Sequence, residues 1–309
     1  SCYYINKRLF VMSDLKDSDR VIEVNYKKVT LFLEFNIPIT FSVFPTFIIR
    51  SVLGKELRRM SCILPRNRCD TCSLSRTCAY SILFETPIQK DNDILPGRTR
   101  AGHPFVLYTP TGINEATDSL QLELTLFGRA IEYYPYMYQA LIRAGEKGLF
   151  RERVRYSISE LAAQDNEVKT GKWTFSNDSE KRRSSLEIKF ITPVRIKIKG
   201  RYTEKFSAID FFNTSWRRAA QVTALYGKCG ERFSYFPPND VSFESKEIKW
   251  IDLERWSSRQ RSKMKLGGFV GSLYLCGELS SADMSILRFN EIFHMGKNTG
   301  FGLGKVRVE

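Results

Sequence analysis

Leu120-Gln-Leu-Glu-Leu-Thr-Leu126 alternates apolar and polar residues without a fault. A side-chain period of two belongs to a strand, so this stretch demands a sheet with one covered face. Its surroundings supply the cover. Val29 to Phe41 is strand-like, with Leu31, Leu33 and Phe35 on one face, whereas residues 1–28 carry no sustained period. Pro45 then opens a segment in which Ile49, Val52/Leu53, Leu57 and Met60 recur at helical spacing. Pro104 to Tyr108 is a short strand, tyrosine-rich Tyr133 to Ala144 is helical and stops at Gly145/Gly148, and Arg153 to Ile158 closes the unit. The order is close to β-α-β-β-α-β.

The polar run from Gln164 to Ser185 is the best boundary in a chain whose 309 residues suit two cores. Beyond it the order repeats. Leu186 to Lys199 is strand-like, and Arg195, Lys197 and Lys199 face one way as a basic ribbon on an exposed face. Ile209, Phe212 and Trp216 share a helical face beside Arg217 and Arg218. Ser242 to Leu253 and Gly268 to Leu275 are strands, Ser280 to Asp283 has the composition of a helix cap, and Ile286, Phe289 and Phe293 sit at core spacing behind it. The expected class is α+β. The expected units are residues 1–163 with a cysteine-rich insertion at 61–80, a linker at 164–185, and a second domain at 186–309.

Charge points to the partner. Forty-eight lysines and arginines against 34 acidic residues give a net +14, which favours a polyanion, nucleic acid ahead of an anionic membrane because no long basic amphipathic helix is present. No apolar run approaches the ~20 residues of a spanning helix. Seven cysteines and no secretory signal fit a reduced compartment, so the expected location is the cytoplasm. The chain begins at Ser1 rather than at methionine, which fits a piece of a longer polypeptide. Cys62, Cys69, Cys72 and Cys78 are crowded together, and a pair two residues apart with two flanking thiols can close a structural zinc site. Four reduced packing cysteines are the alternative reading, with an iron–sulfur cluster behind both.

Two stretches carry the chemistry. Residues 255–265 hold Arg255, Arg259, Arg261, Lys263 and Lys265 around Trp256, a composition that can follow a phosphate backbone and stack on a base. The chain then ends on His294-Met-Gly296-Lys297-Asn-Thr-Gly300-Phe-Gly302-Leu-Gly304-Lys305. Glycines let backbone amides approach an anion and the lysines add charge, although glycines also end helices and turn corners. Gly296, Gly300, Gly302, Gly304 and Lys305 are therefore candidate RNA contacts together with Arg217 and Lys197. His103, between Gly102 and Pro104, reads as a surface residue in a turn.

Phe127-Gly128 before the tyrosine-rich helix, Trp256-Ser-Ser-Arg259-Gln260 leading to Gly267-Gly-Phe-Val-Gly271, and His294-Met-Gly-Lys297 running into Phe301-Gly-Leu-Gly304 resemble the CRISPR repeat-processing endoribonucleases of the RAMP superfamily. The insertion ending in Cys78-Ala-Tyr80 resembles one branch of them. The resemblance runs from about residue 29 to the end. It implies two tandem ferredoxin-like (RRM-like) folds, a glycine-rich loop that contacts RNA, and cleavage of CRISPR repeat RNA that needs no metal or other catalytic cofactor. Relatives occur free or fused to adaptation proteins, and others of the same fold are non-catalytic RNA-binding subunits of effector complexes.

Many relatives place a catalytic histidine on the first helix, and the helix from Pro45 to Met60 has none. The family reaction is attack of a ribose 2′-OH on the neighbouring phosphate, leaving a 2′,3′-cyclic phosphate and a 5′-OH, and it calls for an acid, a base and a cation. The expectation is that His294 does the acid–base work at the entrance of the loop and Lys297 supplies charge. A zinc nuclease built on the cysteines is disfavoured, because four sulfur ligands leave no open position on the metal.

Overall fold

A computed structural model describes residues 21–65, 68–88, 94–158, 168–176, 180–229, 235–257 and 262–309. The first half is built on β1 (Ile22–Thr40), α1 (Pro45–Ser61), β2 (Phe105–Tyr108), β3 (Ala116–Phe127), α2 (Tyr134–Lys147) and β4 (Tyr156–Ile158). The strands form an antiparallel sheet in the order β2-β3-β1-β4. The alternation read in the sequence puts Leu120, Leu122, Leu124 and Leu126 wholly inside, where they pack with Ile49, Leu53 and Leu57 of α1 and Met137, Ala140 and Leu141 of α2.

The second half repeats the plan with β6 (Lys181–Val194), α3 (Ala208–Tyr226), β10 (Val241–Ser257), β11 (Ser262–Ser280), α4 (Ser281–Phe293) and β12 (Val306–Val308). Its sheet order, β10-β11-β6-β12, is that of the first sheet transposed. Two ferredoxin-like folds in tandem result. Both helices of this half begin with a reciprocal cap: Ser207 with Asp210 on α3, and Ser280 with Asp283 on α4, as the sequence indicates for the latter.

Four differences from the sequence reading concern the site. β1 starts at Ile22, earlier than the periodicity indicates, because its first half takes a different partner: β5 (Val168–Thr174) pairs with Glu23 to Val29. That strand lies inside the expected linker. The strand expected from Leu186 to Lys199 breaks after Val194 and continues as β7 (Ile196–Ile198), which pairs with β8 (Arg201–Thr203). Arg195 at the break is only 6% exposed, so it leaves the expected basic ribbon and turns inward. Finally, the basic hairpin loop is mostly strand. β10 and β11 zip up as far as Ser257↔Ser262, which places Lys263 opposite Trp256 and Lys265 opposite Glu254. Arg259 and Arg261 lie outside the described residues.

The halves share apolar surface. Phe127 of β3, Trp173 of β5, Val222 of α3 and Phe289 and Phe293 of α4 form one buried cluster, and Phe47, Leu253, Leu266 and Leu303 form a smaller one. β9 (Lys228–Cys229), directly after α3, also pairs with Ile22 and Glu23 of β1. Gly128 has φ +59, and a Cβ there would lie 2.2 Å from the Tyr226 carbonyl oxygen of α3. Glycine is required where the halves meet so closely.

Candidate RNA-processing cleft

The seam between the halves opens into a cleft of about 270 Å³. The loop before β2 contributes Arg98, Gly102 and His103; the β6–β7 break contributes Arg195 and Lys197; α3 contributes Arg217 and Arg218; and the glycine-rich segment contributes residues 296–301. Among the described residues six cationic side chains line it and no carboxylate does. Like charges held together repel one another, so an anion in the cleft relieves the repulsion.

Arg195 makes the point sharply. Its Nη1 donates to Asn298 Oδ1 at 3.1 Å and its guanidinium lies 4.1 Å from the centre of the Tyr202 ring, yet its buried Nε has no hydrogen-bond partner. Arg218 is used differently: Nε donates to the His294 carbonyl oxygen and Nη2 to that of Phe293, which caps α4 with a positive charge. Burial, then the neighbouring Arg98, Arg218, Arg217 and Lys197, push the Lys297 ammonium below the usual lysine range. A lysine so placed releases its proton more readily than one in water.

Part of the glycine-rich segment's backbone is tied up within the fold. The amides of Lys297, Phe301, Gly302 and Gly304 donate to the carbonyls of Arg195, Asn298, Thr299 and Pro193. The glycines are needed for close packing instead. A Cβ on Gly296 would lie 2.6 Å from the Arg195 carbonyl oxygen, one on Gly300 2.8 Å from Cδ2 of His103, one on Gly302 2.4 Å from Oγ1 of Thr46, and one on Gly304 2.0 Å from the Met295 carbonyl oxygen. The loop is thus wedged between the two halves, with Lys297 and residues 296 and 298–301 facing the cleft. Lys305 also leaves the expected set: its ammonium turns to Glu123 at 3.5 Å and to the Glu291 carbonyl oxygen, away from the cleft. Lys263 and Lys265 are exposed on β11 and are not part of the cleft wall.

His294 occupies a structural position. It ends α4 with φ 61°, is 2% exposed, and donates from Nδ1 to the Leu303 carbonyl oxygen at 3.1 Å. Burial, with Lys305 adding to it, holds its pKa well below the histidine range, so the ring is neutral and enclosed. The acid–base role expected of it is revised on this ground: the side chain is directed at its own loop and not at the cleft.

His103 is the histidine that reaches the cleft. Its ring stacks on Phe105 with centroids 5.5 Å apart, supports Gly300, and accepts a hydrogen bond at Nε2 from Arg50 Nη2 at 2.6 Å. Burial and the Arg50 charge push its pKa down to about 3. Arg50 also lies 3.9 Å from the centre of the Phe301 ring, where Arg255 approaches at 4.2 Å, and Thr46 Oγ1 donates to the Phe301 carbonyl oxygen at 2.7 Å. The histidine-free helix α1 therefore holds the loop through Thr46 and Arg50. The only sequence signal for His103 was its place between Gly102 and Pro104.

Both histidines are neutral when folded and gain a proton on unfolding below pH ~6.5. Stability is therefore complete above that pH and falls as pH drops from ~6.5 towards 3. Denaturant titrations from pH 7 to 4 should show this loss, and His103→Gln should make it shallower.

Among the described residues no three His, Cys, Asp or Glu side chains converge in a metal-holding arrangement. Cys78 Sγ donates to the Ser61 carbonyl oxygen at 3.7 Å, and burial followed by Glu85 pushes the Cys69 thiol up. Cys62, Cys69, Cys72 and Cys78 are free and partly buried, and a zinc site among them is not shown.

Family models cover nearly the whole of this architecture. The AF_1859_N family, an N-terminal domain, matches residues 24–185, and the CRISPR-associated endoribonuclease Cas6 family matches residues 188–306. Residues 188–306 form a CRISPR-associated Cas6 endoribonuclease domain. No curated protein matches it in sequence. Among solved structures it is similar to a Cas6 product complex (15% identity, TM-score 0.55, covering 92% of this chain and 100% of the other) and to Thermus thermophilus Cas6 (15%, TM-score 0.52, 93% and 99%). It is also similar to part of a Cas6-RT-Cas1–Cas2 complex (12%, TM-score 0.51, 93% of this chain and 29% of the other). At these identities the likeness is one of fold. With its Cas6 domain, the chain is a CRISPR RNA endoribonuclease. No helix among its described residues is long and apolar enough to cross a membrane.

Proposed function

We propose that this Cas6 protein cuts CRISPR precursor RNA within its repeats, in the cleft between the two halves, by attack of the 2′-OH on the adjacent phosphate. The observation that carries the reading is the cleft wall: six cations, no carboxylate, and a buried arginine Nε without a partner. Such a wall favours the extra negative charge that gathers on phosphorus in the transition state over the charge of the bound substrate.

In this reading Arg195, Lys197 and Arg217 hold the scissile phosphate. The bond from 2′-O to phosphorus forms, the bond to 5′-O breaks, the 2′ proton passes to water, and the Lys297 ammonium delivers a proton to the departing 5′ oxygen. The depressed pKa of Lys297 suits it to that donation. His103, Arg50 and Thr46 fix the loop that carries Lys297, and His294 ties the end of α4 to the same loop. The hairpin cations Lys263 and Lys265, with Arg259 and Arg261, extend the RNA path beyond the cleft. The protein acts in the cytoplasm, and its likeness to part of a Cas6-RT-Cas1–Cas2 complex supports work as a module joined to adaptation proteins.

Incubation with repeat RNA in excess EDTA tests the chemistry. The expected products carry a 2′,3′-cyclic phosphate and a 5′-OH. Products with a 5′-phosphate, or cleavage abolished by the chelator, would overturn the proposed step.

A further inference from the structure

A second basic hollow lies on the first half, away from the cleft. It encloses about 490 Å³ between the C-terminal half of α1, the end of α2 and the turn that follows. Its one buried carboxylate, Glu56, is 3% exposed and is already held by Arg59 and Lys147. Lys55, Arg153 and Arg155 remain, all exposed and in no ion pair among the described residues, and with exposed Glu146 the only other lining carboxylate the hollow keeps a net positive charge.

Its rim carries an aromatic ring. Leu149 and Val154 pair across a tight turn, donating to each other's carbonyls at 2.7 and 3.0 Å, and Phe150 and Arg153 within it both adopt positive φ, 62° and 52°. Non-glycine residues seldom take that conformation. Here it leaves Phe150 39% exposed, with its ring set edge-on against buried Phe41 at 5.9 Å. A fixed, half-open ring beside unpaired guanidinium groups is a composition that binds single-stranded nucleic acid, the ring taking a base and the cations its phosphates.

We infer that this hollow seats a nucleotide of single-stranded RNA outside the cleft, with its base on Phe150 and its phosphate on Lys55, Arg153 and Arg155. α1 connects the two places. Thr46 in its first turn touches the glycine-rich loop, and Lys55 and Arg59 lie roughly 15–20 Å further along at 1.5 Å per residue. An RNA leaving the cleft along α1 therefore meets the hollow within a few nucleotides. The inference rests on the RNA-processing reading for its choice of ligand, and an acidic protein segment is the competing occupant.

The test is fluorescence anisotropy with a labelled single-stranded uridine oligomer, titrated across salt with the full chain. Phe150→Ala should weaken binding at least about fivefold, and Phe150→Trp should restore it. Arg153→Gln with Arg155→Gln should lower the salt slope by about one. Single-turnover cleavage of saturating repeat RNA should be unchanged in these variants, which separates this hollow from the cleft. If the wild type binds the oligomer through the hollow but cuts no RNA, the cleavage reading fails and this one stands. Unaltered affinity and slope in both sets of variants overturn it, as does capture of polyglutamate by the hollow with RNA affinity unmoved.

Discussion

Lys297→Ala should lower single-turnover cleavage of repeat RNA by about 10²–10³-fold while changing the RNA dissociation constant by less than about tenfold. The asymmetry follows from what the side chain does. Several cations share the hold on the phosphate, so the loss of one costs little affinity. The proton for the departing oxygen has no comparable second source, because neither histidine offers the cleft an unoccupied nitrogen: Nε2 of His103 is taken by Arg50, and His294 is enclosed. The pH profile carries the same information. With the ammonium destabilised by burial and by Arg98, Arg218, Arg217 and Lys197, the alkaline fall in rate should come below ~10.4, the ordinary lysine value. Lys297→Arg, which cannot lose its proton in that range, should remove that limb. A variant that cuts at the full rate removes Lys297 from the mechanism.

Gly304→Ala should be nearly as damaging to cleavage without removing any reacting group. Gly304 has φ +81, and an added Cβ would lie 2.0 Å from the Met295 carbonyl oxygen, a clash with backbone that no side-chain rotation relieves. Met295 N also donates to the Gly304 carbonyl oxygen at 2.7 Å, so the substitution strikes the point where the two ends of the loop are joined. The left-handed conformation alone costs an alanine about 1–2 kcal/mol, and the clash adds to it. We expect a lower melting temperature together with a cleavage defect of at least tenfold. An alanine at 304 with wild-type melting and cleavage would show that the loop can move without consequence.

These two residues show what was legible in the chain. The fold was, because patterns of period two and 3.6 report burial directly: Leu120 to Leu126, the capping box at Ser280, and Pro45 at the start of α1 all appear where the sequence indicates them. The glycine-rich ending was recognised as the organising stretch for a reason only partly right. Its glycines answer to close approach by Arg195, His103, Thr46 and Met295, contacts 9 to more than 250 positions away in the chain, and composition does not show which side of a loop will be filled. The same limit applies to the histidines. His294 stood beside lysines and glycines and was read as a catalyst, but tertiary packing closed over it, whereas His103 looked incidental until the first half brought it against Gly300. Arg195 illustrates the reverse error. Strand alternation assigned it to an exposed ribbon, and the break after Val194, which the period did not announce, turned it into the cleft wall. Cysteine spacing suggested a metal knuckle, and among the described residues no three ligand side chains converge to hold one.

The central claim is that RNA is cut where the glycine-rich loop, α3 and the β6–β7 break converge. Photo-crosslinking of repeat RNA carrying 4-thiouridine next to the cleaved bond, followed by peptide mapping, tests it most directly. The account predicts crosslinks to peptides containing Lys197, Arg217 or Lys297; crosslinks confined to the β10–β11 hairpin or to the outer faces of the sheets would contradict it.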